Sequence, residues 1–135
     1  MAQTSKSLFA ICQCGSAAIE YALVLPALLL FLLGIMDTGR LLWTYTTLYR
    51  ASEAAARCAA IQATRCTTSI DIQNYAVAQA WGLIVDASTF AVSNQTCGMQ
   101  VTASYNFTFV IPWLELASSG NSNSITLTAK ACYPV

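Results

Sequence analysis

Glu20 is the residue whose placement calls for chemistry. It stands in Gly15-Ser16-Ala17-Ala18-Ile19-Glu20-Tyr21, where a glycine precedes small residues and one carboxylate lies just inside an apolar run. An ionised carboxylate at the edge of hydrocarbon costs up to about 2.5–3.5 kcal/mol on insertion scales, so such a residue usually has a partner. None of its near neighbours in sequence is basic, which puts the partner on another molecule. Cleavage between Gly15 and Ser16 would create one, a new amine with a reference pKa of about 7.7–8.0 that an adjacent molecule could offer to Glu20. The alternative is a carboxylate that snorkels to the interface with no partner.

Little else in the chain invites catalysis. There is no histidine, which removes the commonest general base and the commonest metal ligand together. Glu20, Asp37, Asp71, Asp86 and Glu115 show no spacing that makes a carboxylate pair for acid–base work. No Cys-x-x-Cys pair is present to start a zinc site. The chain therefore reads as a non-enzyme with no cofactor and no metal. The formal net charge is zero and the charges are dispersed, so nothing suggests nucleic acid as a partner. Charged residues make up 9%, against roughly 25% in an ordinary soluble domain. With a mean hydropathy of +0.56, that shortfall points to a lipid bilayer or to extensive packing between subunits.

The elements that must position these residues follow from periodicity. Tyr21–Met36 is an uncharged apolar run of roughly 24 Å as a helix, and Ser16–Ile19 or Leu41–Tyr45 extends it to the roughly 30 Å of a hydrocarbon core. Pro26 interrupts one backbone bond, to the carbonyl of Ala22, and should bend the helix locally. The pattern continues past Asp37, since Leu41, Tyr45, Leu48, Ser52, Ala55 and Ala59 form one helical stripe. Asp37–Arg40, Arg50–Glu53 and Glu53–Arg57 are opposite-charge pairs at helical spacing, worth a few tenths of a kcal/mol each. The alanine-rich stretch 51–60 should permit close approach of another helix. Residues 70–85 read as a second helix supported by Asp71. Residues 90–93, 99–110 and 125–132 read as strands, with Cys97-Gly98 as the turn between the first two. Pro112 could open one helical turn, and 118–124 is a Ser/Gly/Asn loop. The fold class is thus α+β: a long N-terminal membrane-spanning helix extending into a small extracytoplasmic domain with a second helix and a three-stranded antiparallel sheet.

A glycine, a glutamate five residues later and an apolar run starting at once resemble a type IV prepilin processing site. The resemblance implies that a prepilin peptidase cuts after Gly15 on the cytoplasmic side, with Ser16 as the new N-terminus and Glu20 as the fifth mature position. The Glu20-Tyr21 pair is similar to the Flp-like branch. Ala-Ile-Glu-Tyr-Ala-Leu-Val-Leu-Pro (18–26), Gly39-Arg40-Leu41 and Ala54-Ala55-Ala56-Arg57 resemble the N-terminal signature of TadE-like pseudopilins, and 125–129 is similar to the Ile-Thr-Leu-Thr-Ala run of their closing strands. Membership implies a minor pilin or pseudopilin acting in assembly, or in adhesion at the tip, of a Tad-type (type IV) pilus. Its partners are then the peptidase, a major Flp-type pilin, other minor pilins and the inner-membrane assembly platform, with Glu20, Tyr21 and Pro26 serving subunit assembly. It also implies a single span in a bacterial inner membrane, the C-terminal domain in the periplasm, and incorporation in the extracellular pilus as a further destination. One feature departs from the family: Gln13 and Cys14 stand where such leaders often carry basic residues, and Arg40 and Arg50 follow the span.

On this reading residues 1–15 are a leader, 16–62 the long helix with its membrane part at about 16–36, and 63–135 the outer domain. Cys12 and Cys14 leave with the leader, while Cys58, Cys66, Cys97 and Cys132 remain, an even count in an exported domain. On one unbroken helix Cys58 and Cys66 would lie about 12 Å apart, too far to bridge, so bonding them requires the helix to end between them. Cys97 and Cys132 fall at the meeting ends of antiparallel strands. The favoured pairing is 58–66 and 97–132; the alternative is four free, buried cysteines. The competing function is an uncleaved single-span membrane anchor displaying a small binding domain.

Overall fold

A computed structural model describes residues 14–61, 64–110 and 124–134. The expected helical turn at Pro112, nearly all of the 118–124 loop, and the leader up to Gln13 lie outside the described residues. The element order is α1 (Cys14–Ala60), α2 (Ser69–Gln79), a 3-10 turn (Ala87–Thr89), β1 (Phe90–Gln95), β2 (Gly98–Thr108) and β3 (Ser124–Tyr133). The architecture is α+β with a three-stranded antiparallel sheet in the order β1-β2-β3. The chain forms two compact units, one ending at Met36 and one beginning at Asp37, so the outer half of α1 belongs to the second.

In the first unit, α1 carries an apolar stretch with mean hydropathy 2.3, none of it buried. It is long and apolar enough to cross a membrane. Leu23, Leu25, Phe31 and Ile35 are exposed on different sides of the helix, the pattern of a helix meant for a non-aqueous surround.

The second unit has a small-residue core. Leu48, Ala51, Ala55, Ala56 and Ala59 of α1 share it with Cys66, Ile72, Ala76, Ala80, Phe90, Val101, Ala103, Ala129 and Ala131. Register explains the sheet's contribution. Phe90, Ala103 and Ala129 lie side by side in one row, and Val92, Val101 and Ala131 in the next. In the first row Phe90 stands in line with two alanines, and in the second Val92 and Val101 stand in line with one. The alanine stretch, expected to permit close approach of another helix, has its small face buried in this chain's own core, which also holds Ile72 and Ala76 of α2. Tyr45 also departs from the expected stripe: it is 42% exposed, and Thr44 takes the inward place beside it.

Strand boundaries shift by one or two residues from the sequence reading, and the end of α2 by six. α2 stops at Gln79 instead of continuing to Val85, because Gly82 adopts φ 75° and the Leu83 N–H donates to the Ala80 carbonyl, turning the chain. Leu83 and Val85 still pack against the core, and Leu83 does so at helical spacing from Ala80, which extends the pattern past the helix. β2 ends at Thr108, leaving Phe109 beyond the strand. The start of α2 is fixed by a reciprocal cap in which Thr68 Oγ1 accepts from the Asp71 N–H and the Thr68 N–H donates to Asp71.

Candidate functional site: the N-terminal helix and its junction with the outer domain

Gly15, Ser16, Glu20, Tyr21 and Pro26 all lie on α1 within the first unit. The Gly15–Ser16 bond lies within α1, at the start of the described residues. Glu20 is exposed and makes no ion pair among the described residues. Tyr21 is 75% exposed beside it. α1 runs through Pro26 without ending. The arrangement is an exposed carboxylate and phenol on an unburied apolar helix.

The four remaining cysteines form two bridges. Cys58 on the last turn of α1 bonds Cys66, with Cα atoms 5.9 Å apart. The helix gives way after Ala60, which makes that approach possible. Cys97 in the β1–β2 turn bonds Cys132 near the end of β3, with Cα atoms 6.3 Å apart. Gly98, next in the chain, has φ 116°, and a Cβ there would collide with the Tyr133 carbonyl, so only glycine fits beside the bridge.

The structure singles out one residue that sequence reasoning undervalued. Asp37, the first residue after the apolar run, is 2% exposed. Its Oδ1 accepts from Arg40 at 3.0 Å, and its Oδ2 accepts from the Val110 backbone N–H at 2.9 Å. Arg40 also lies over the Phe107 ring, 5.4 Å from its centroid, and Phe107 meets Phe109 edge-on at 5.2 Å. Asp37 thus ties the outer part of α1 to the chain leaving β2. The sequence shows the Asp37–Arg40 spacing, whereas the link to Val110 spans 73 residues and involves a main-chain donor that no side-chain pattern signals. Arg50, Glu53 and Arg57 form no ion pair among the described residues.

Among the described residues no group of three or more His, Cys, Asp or Glu side chains is placed to hold a metal ion. A cleft between the β1–β2 turn and the start of α2 is lined by Thr67, Ser69, Asn94, Gln95 and Thr96 and holds no charged side chain among the described residues.

Residues 15–57 match the family model described as TadE-like protein. No curated protein and no solved structure matched the chain. The family match covers the apolar helix, Asp37, Arg40 and most of the alanine face, and stops before both members of the second disulfide.

Proposed function

We propose, taking the TadE-like character of residues 15–57 as premise, that this protein is a minor pilin or pseudopilin of a Tad-type pilus. Prepilin peptidase removes the leader after Gly15, and the amine of Ser16 then meets Glu20 of an adjacent subunit. A wrongly registered Glu20 would be an uncompensated charge in an apolar bundle, so the pair sets axial register. The observation that carries this reading is the exposed Glu20, five residues after Gly15, on an unburied apolar helix within the TadE-like segment.

The helix inserts in a bacterial inner membrane, and the outer domain resides in the periplasm before any incorporation in a pilus. Two disulfides support an oxidising compartment for that domain. The other partners are a major Flp-type pilin, other minor pilins and the assembly platform, with adhesion at the tip as the outcome of assembly.

The test is intact mass and N-terminal sequencing with and without co-expressed prepilin peptidase. A peptidase-dependent N-terminus at Ser16 is expected, abolished by Gly15→Val, and Glu20→Ala should insert normally yet fail to co-assemble with pilin. A chain still starting at Met1, unaffected by Gly15→Val, would instead identify an uncleaved membrane anchor displaying a binding domain.

A further inference from the structure

The cleft between the β1–β2 turn and the start of α2 lies wholly within the second unit, and no step of the proposed assembly uses it. Its volume is ≈ 740 Å³, inside the roughly 300–1,000 Å³ of small-ligand sites. Thr67 and Ser69 stand on one wall and Asn94, Gln95 and Thr96 on the other, all of them exposed. Met99 and Pro134 add apolar surface to the lining.

Both walls are fixed covalently. Cys66, which lines the cleft just before Thr67, is bonded to Cys58 on the last turn of α1. Cys97, which follows Thr96 in the lining, is bonded to Cys132 of β3. The reciprocal cap of Thr68 and Asp71 holds the first turn of α2. A ligand entering here meets groups already in place, so little ordering of loops opposes its binding.

The polar groups on these walls are largely unspent. The Ser69, Asn94 and Thr96 side chains make no hydrogen bond among the described residues. The Gln95 side chain has only a contact of 3.5 Å with Ser93 Oγ, at the outer limit for such a bond. Thr67 Oγ1 donates to Asp71 at 3.1 Å, and its oxygen remains free to accept. Hydroxyls and carboxamides both donate and accept without carrying charge, which matches a ligand built of hydroxyl groups. An anion finds no Lys or Arg in the lining, and Asp71 sets a negative charge on the first turn of α2. A cation finds no carboxylate there. A wholly apolar ligand would bury these side chains with their hydrogen bonds unmade, which is costly.

We infer that this cleft binds neutral oligosaccharide, with sugar hydroxyls bonded by Ser69, Asn94, Gln95 and Thr96 and the C–H faces of the rings against Met99 and Pro134. The inference rests on the outer domain alone. It holds whether or not the chain is cleaved after Gly15 or enters a pilus, so a negative processing test would leave it standing.

The experiment titrates the isotope-labelled full chain in lauryldimethylamine oxide micelles, which carry no sugar headgroup, and follows backbone amide shifts. The probes are cellohexaose, maltohexaose and chitohexaose, with a galacturonate oligomer as the charged counterpart. Expected are saturable shifts confined to residues 66–72 and 94–99 with at least one neutral probe, and none with galacturonate. Asn94→Ala combined with Thr96→Ala should weaken that binding about tenfold. Ser69→Ala, on the opposite wall, should weaken it severalfold, and each variant should keep the circular dichroism of the parent. Thr128→Ala, on the exposed face of β3, should leave binding unchanged. Absence of saturable shifts with all three neutral probes would overturn the inference. So would tighter binding of galacturonate, or a neutral-probe affinity that both cleft variants leave unchanged.

Discussion

Asp37→Ala should destabilise the outer domain far more than an exposed helical ion pair could. The hydrogen bond from the Val110 N–H to a buried carboxylate is charge-assisted, worth about 1.5–3 kcal/mol. The Arg40 side chain is 50% exposed, so solvent screening limits its pair with Asp37 to at most about 1 kcal/mol. Together these give about 2–4 kcal/mol for Asp37→Ala. Asp37→Asn keeps an oxygen able to accept from Val110 and loses the charge, so it should cost distinctly less. Arg40→Ala removes the screened pair and the contact with Phe107, and should also cost less than Asp37→Ala. The assay is urea unfolding of the detergent-solubilised full chain, followed by tryptophan fluorescence, with hydrogen exchange at the Val110 amide as the local probe. The reasoning is refuted if Asp37→Ala leaves the midpoint and the Val110 protection unchanged. It is equally refuted if Arg40→Ala costs as much as Asp37→Ala, because the pair and not the main-chain bond would then carry the energy.

Three further outcomes follow from the same structure. Loop lengths of 8 and 35 residues predict losses of about 2.5 and 3.8 kcal/mol for the two disulfides on chain entropy, so replacing Cys97 and Cys132 by Ala should cost more than replacing Cys58 and Cys66; urea midpoints in the reverse order would reject that account. Ser52 is fully buried in the α1 face and its hydroxyl has no partner among the described residues, so Ser52→Ala should stabilise by about 1 kcal/mol, and a loss in the same assay would show the hydroxyl to be satisfied. The Thr68 and Thr67 hydroxyls and the Thr68 N–H hold the Asp71 carboxyl below its ordinary value of 3.8. Its folded pKa is depressed, so its stabilisation is fully present above 3.8 and is lost as pH falls through the lower folded value. Asp71→Asn should remove that part of the acid dependence, and an unchanged pH profile of unfolding would contradict it.

What could be read from the sequence divides along physical lines. Local periodicity and composition reveal the apolar run, the presence of a second helix and the alternating strands, because each is fixed by which side chains must avoid water. The β1–β2 turn was legible at Cys97-Gly98 because a positive φ beside a close backbone approach leaves only glycine. The end of α2 was not legible, since Leu83 keeps helical spacing with Ile72, Ala76 and Ala80 while reaching the core from a turned chain. The Asp37–Val110 bond was not legible either, because its donor is a main-chain N–H far away in sequence. For Gly15, Ser16 and Glu20 the sequence supplies the chemistry, and a single subunit can show only that Glu20 has no partner of its own among the described residues.

The burial of the alanine face changes which surface of α1 a neighbouring subunit can use. Small residues at helical spacing are what close helix–helix packing needs, and residues 51–59 look like such a seam. In the folded chain Ala51, Ala55, Ala56 and Ala59 are covered by the sheet and α2. Enlarging one of them would therefore overpack the domain's own core before it touched any contact between subunits. Beyond the bare apolar stretch up to Met36, the large apolar side chains that α1 leaves open are Leu42, Trp43, Tyr45 and Tyr49, of which Leu42, Tyr45 and Tyr49 recur at three and four residues. From Asp37 on, α1 thus gives one face to the domain's core and leaves Leu42, Tyr45 and Tyr49 open on another.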